Sequence, residues 1–100
     1  MAIQNNSLFT HSLLLLTFRY QSPVVPLETV IGDYFDHMQI EEARRKANKQ
    51  QLPFPVFRSE KDNKKSKWMV NIADLALYLD KESKIAKEDH LAMNGKNERV

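Results

Sequence analysis

All four prolines of this chain fall in two tight brackets, and the brackets decide what it can fold into. "QSPVVP" (residues 21–26) and "LPFP" (residues 52–55) both exclude helix. A proline disfavours the α region in the residue before it and has no N–H to donate within a helix. The 100 residues make one small domain, and they are cut here into three segments.

The middle segment carries the clearest periodicity. Leu27, Val30, Ile31, Tyr34 and Phe35 fall at i, i+3, i+4, i+7 and i+8, which predicts an amphipathic helix. Pro26 suits its first helical position, where a missing N–H costs nothing. Gly32 weakens that helix and reads as a site of close packing. "DHM" (residues 36–38) reads as a tight turn, and a further helix is expected over residues 39–51. Its underside is narrow: Ile40, Ala43 and Ala47. Arg45, Lys46, Lys49 and Glu42 lie opposite, with Arg44 and Asn48 on one flank.

Before this, Ser7 caps an expected helix running to residue 20, with Leu8 and the leucines of residues 13–16 on its buried side. After it, residues 54–58 read as a strand, "SEKDNKKS" as a polar loop and residues 67–72 as a returning strand. Trp68 and Val70 share one face of that strand and are expected in the core, and Phe54, Phe57 and Met69 are also expected to pack. Asn71 starts a last helix, whose Ile72, Leu75, Ala76 and Leu79 form an apolar stripe ending near Lys81. The expected organisation is a domain over residues 7–81 and a charged, flexible tail over residues 82–100, either a fraying helix or a disordered segment. The fold class is mainly α with a small β-hairpin, in the order of a winged helix-turn-helix.

Several functions are excluded or left without a signature. No cysteine is present, so there is neither a disulfide framework nor a cysteine zinc site, which fits a cytoplasmic protein. The apolar run of residues 13–18 is too short to span a bilayer and lacks the flanks of a signal peptide, so no membrane role is expected. His11, His37 and His90 are scattered without metal-ligand spacing. No glycine-rich phosphate loop, paired carboxylates or marked nucleophile is found. Neither an enzyme nor a bound cofactor is implied.

Charge points to a partner. The net charge of +2 hides nine cationic residues against two acids between Arg44 and Lys67, a local +7 against −5 elsewhere. Segregation of this kind favours a polyanion. The major groove of DNA admits one α-helix between walls of phosphate. A helix with alanines beneath and Arg44, Arg45, Asn48 and Lys49 outward meets that demand, with Arg45 and Asn48 as the expected base contacts. Lys46, Arg58, Lys61, Lys64, Lys65 and Lys67 are the expected phosphate contacts. The competing reading is a solvated face, in which Glu41–Arg45 and Glu42–Lys46 pairs at i, i+4 contribute ~0.2–0.5 kcal/mol each.

"VVPLETVIGDYF", "EEARRKANKQQLPFPVFR" and "KWMVNIADLALYLDK" together resemble the pyocin activator proteins, the PrtN-type regulators of phage and bacteriocin gene clusters. The "LPFPVFR…W…DLALYL" half is also similar to the AlpA-related excisionases, a winged helix-turn-helix group of excisionase/MerR-like type. The resemblance implies a transcription regulator that binds double-stranded DNA. The alternatives are a recombination directionality factor acting with an integrase, and a protein-binding adaptor or anti-repressor. RNA polymerase and self-association on DNA through the apolar N-terminal segment are the further partners implied.

Overall fold

The computed structural model describes residues 11–98. Ser7 and Leu8, expected to begin the first helix, lie outside the described residues. Among those described there are four helices and three strands. Helix α1 is His11–Tyr20, α2 is Leu27–Tyr34, α3 is Ile40–Asn48 and α4 is Ile72–Glu98. Strands β1 (Val24–Pro26), β2 (Phe57–Arg58) and β3 (Trp68–Asn71) form an antiparallel sheet in the order β1-β3-β2.

Strand β1 corrects the two-stranded hairpin expected from the sequence. Val24 and Val25 stand between prolines that exclude helix, and β-branched side chains favour the extended state that remains. Val25 pairs with Val70 and Pro26 with Met69, so β1 takes the free edge of β3. Proline is tolerated there because an edge strand has an N–H row to spare. On the other side Phe57 pairs with Met69 and Arg58 with Trp68. The expected strand over residues 54–58 is shorter than predicted, since Phe54 and Val56 enter the core from irregular backbone. Phe57, expected to pack, is exposed, while Met69 is half-buried.

Helix α2 follows β1 without a break. Pro26 is its N-cap in extended conformation (φ −59°, ψ 139°), one position before the helical start assigned to it from sequence. Leu27, Val30 and Ile31 are buried as the periodicity requires, and Tyr34 and Phe35 pack half-buried against the same core. Gly32 is exposed, and a Cβ built on it meets nothing within 4 Å, so close packing is not its role. The turn at residues 36–38 is closed by the Met38 N–H donating to the Phe35 carbonyl at 2.8 Å.

Helix α3 seats Ala43 and Ala47 at zero exposure. It stops at Asn48, before the expected end at Gln51. The Gln51 N–H reaches the Lys46 carbonyl at 2.9 Å and the Gln50 N–H the Ala47 carbonyl at 3.1 Å, with Gln50 at φ 53°. This pair of bonds with a left-handed residue is a Schellman cap. The helix is therefore closed by its own backbone, and Pro53 follows a stop already made.

Helix α4 starts where expected, with Asn71 Oδ1 accepting the Ala73 N–H at 2.8 Å. It does not end near Lys81 but runs on to Glu98. Ile72, Leu75 and Ala76 are buried, whereas every residue from 81 to 93 is exposed. No proline or glycine interrupts residues 72–94, and Lys, Glu, Ala and Leu are good helix formers, so propensity extends the helix past its packed part. Helix α1 lies against α4, where the Ser12 hydroxyl donates to Asp80 Oδ1 at 2.5 Å. A second latch ties α1 to α2: Asp33 Oδ2 accepts the Tyr20 hydroxyl at 2.5 Å and sits 3.2 Å from Arg19.

Candidate nucleic-acid interface

The two alanines under α3 have no bulk, so the helix lies close on its neighbours and its flank forms one wall of a cleft. The facing wall is the β2–β3 hairpin, and the start of α2 closes the floor. The cleft encloses about 540 Å³. Arg44 and Asn48, one helical turn apart, project from α3 into it; Lys64, Lys65 and Lys67 face them from the hairpin.

The hairpin loop is not a loose polar run. The Ser59 N–H donates to the Lys67 carbonyl at 2.9 Å, and the Ser66 hydroxyl is shared between the carbonyls of Glu60 and Asn63 at 2.9 and 2.8 Å. Asn63 Oδ1 accepts the Lys65 N–H at 2.9 Å. Short polar side chains that bond nearby backbone are the usual means of ordering a turn. Here they fix the backbone that carries Lys64 and Lys65.

Arg58 joins the walls. Its guanidinium stacks over Trp68 at 4.3 Å from the ring centroid, and Nη1 donates to the Lys64 and Ser66 carbonyls at 2.8 and 3.2 Å. Nη2 donates to Asn48 Oδ1 at 3.3 Å. The fork of donors on Arg allows this geometry, which the point charge of lysine does not. Trp68 is thus half-buried, packed on the core on one side and presented with Arg58 to the cleft on the other.

The ten side chains singled out from sequence divide into three groups. Arg44, Asn48, Arg58, Lys64, Lys65 and Lys67 surround the cleft. Arg45, Lys49 and Lys61 are exposed away from it and make no hydrogen bond or ion pair among the described residues. Lys46 pairs with Glu42 at 3.5 Å, one of the two i, i+4 pairs expected; Glu41 and Arg45 do not pair. Sequence reasoning missed Glu28, whose Oε2 lies 3.1 Å from Arg44 Nη2 and which lines the cleft beside Thr29. No local signal marks Glu28 as a partner of a residue sixteen positions away.

A family model described as pyocin activator protein PrtN matches residues 12–86, which takes in the cleft, the hairpin and both alanines of α3. The chain belongs to the pyocin activator family. That membership points to a regulatory protein with a role in transcription activation. No curated protein and no solved structure gives a significant match, and the likeness to AlpA-related excisionases has no counterpart in these comparisons. The pyocin activator match stops at Ala86, so the last turns of α4 lie beyond it. No described helix is long and apolar enough to cross a membrane.

Proposed function

We propose that this pyocin activator relative is a sequence-specific double-stranded-DNA-binding transcription regulator of a phage or phage-like gene cluster, and that α2, α3 and the hairpin act as a winged helix-turn-helix. The observation that carries the reading is the cleft, where five cationic side chains from two separate elements face one another across a single acid. In this reading the outer face of α3 enters the major groove. Arg45 and Lys49, whose side chains have no partner among the described residues, are available there for base edges and phosphate. Asn48 turns its carbonyl oxygen toward Arg58 and keeps its amide N–H2 for a DNA contact. Lys64, Lys65 and Lys67 hold the flanking strand by its phosphates. Each phosphate neutralised adds about 0.9 to the slope of log affinity against log salt, so binding weakens steeply with salt.

The test is fluorescence anisotropy with a duplex recovered from a random pool by the full chain. Tight, salt-dependent binding to that duplex and weaker binding to random DNA are expected. Failure to retain any duplex at low salt would sink the reading and leave a protein-docking role for the basic face.

A further inference from the structure

One carboxylate stands among the cations of the cleft. Glu28 occupies the first turn of α2, where the helix dipole favours an acid. Its side chain is 70% exposed, and its ion pair with Arg44 is open to solvent. Exposed pairs of this kind contribute little to stability. Their effect on a third charge that enters the cleft is another matter. A phosphate approaching Arg44 finds the guanidinium already paired and meets a negative oxygen beside it. The uncharged edge of a base meets no such repulsion.

Resting on the DNA-binding reading, we propose that Glu28 is a specificity-determining residue. It holds Arg44 against α2 and makes the cleft a poor trap for phosphate alone, so that Arg44 is released to DNA only where base contacts by α3 compensate. Glu28 thereby weakens random-sequence binding more than operator binding, and it widens the ratio between them.

The experiment compares the wild type, Glu28→Gln, Arg44→Met and the double variant on a random-sequence duplex and on the duplex selected by the wild-type chain. Glutamine keeps the shape and removes the charge. Glu28→Gln is expected to tighten random-duplex binding about two- to fivefold, the range set by the strength of an exposed pair. The selected duplex should change less, and the salt slope on random DNA should steepen by about 0.9, one added phosphate contact. In the Arg44→Met background the gain should largely disappear. Equal tightening on both duplexes, or none, overturns the inference and leaves the DNA-binding reading intact. Binding by none of the proteins to either duplex at low salt overturns both.

Discussion

The cleft and the far half of α4 are both dense in charge, yet they differ in kind. Around the cleft five cations stand against Glu28, on backbone fixed by Ser66, Asn63 and Arg58. Between residues 81 and 93, three lysines are mixed with three acids, and every side chain is exposed. Charge of one sign on a fixed frame makes a field that a polyanion senses. Charge of mixed sign on a bare helix chiefly keeps that helix solvated. The same division runs through the apolar residues. Leu75 is fully buried, while Leu91 and Met93 on the same helix are 52% and 83% exposed.

The largest effect should separate the two halves of α4. Leu75→Ala is expected to cost ~2–5 kcal/mol in urea unfolding, as for a large-to-small change in a closed core. Leu91→Ala should stay within about 0.5 kcal/mol of the wild type. If Leu91→Ala proves costly, and the cost grows with protein concentration, the far half is packed against another copy and the contrast fails.

A matched removal of charge should come next. Arg45→Ala with Lys49→Ala takes two cations from α3 and its C-cap, and Lys84→Ala with Lys87→Ala takes two from the exposed part of α4. The first pair is expected to weaken binding to a selected duplex by ~1–3 kcal/mol, the scale of a base-contacting arginine. The second should weaken it far less, measured at the same salt. Equal losses would mean that net charge alone governs affinity, and α3 would lose its special place.

Arg58→Lys tests whether the frame matters apart from its charge. Lysine keeps the cation but cannot serve two carbonyls, Asn48 and the Trp68 face together. A loss of ~1–2 kcal/mol of stability is expected from the missing hydrogen bonds, with weaker DNA binding despite unchanged net charge. Unaltered stability and affinity would reduce Arg58 to one more phosphate contact.

What the sequence made legible was local. The Leu27, Val30, Ile31 stripe, the alanine underside of α3 and the Asn71 cap are each written within a turn or two of helix, and each stands where it was expected. Strand β1 was hidden because two valines between prolines carry no period, and its extended state is secured by pairing with β3, more than forty residues on. The length of α4 is not legible in the apolar stripe, which ends near Lys81 while the helix runs on to Glu98. Intrinsic propensity without a breaker carries a helix past its packed part. The candidate cations were visible as residue types. Their sorting into a cleft group and a free group was not, because it depends on Glu28, Trp68 and the carbonyls of the hairpin, contacts that no spacing announces.

The smallest expected effect gives the sharpest version of the contrast. Gly32 and Gly95 both lie in helices, neither has positive φ, and a Cβ on either meets nothing within 4 Å. Alanine should therefore be favoured at both by ~0.5–1 kcal/mol of helix propensity. The two gains should appear in different observables. Gly32 belongs to α2, whose Leu27, Val30 and Ile31 are part of the core, so its gain is a gain in global stability and Tm should rise. Gly95 sits beyond the last packed turn of α4, where opening does not require the core to open. Gly95→Ala should raise helical ellipticity and slow amide exchange in the last turns of α4 while leaving Tm unchanged. A rise in Tm from Gly95→Ala as large as that from Gly32→Ala would show that the far half of α4 folds and unfolds with the core, and the boundary drawn at residue 81 would have to be abandoned.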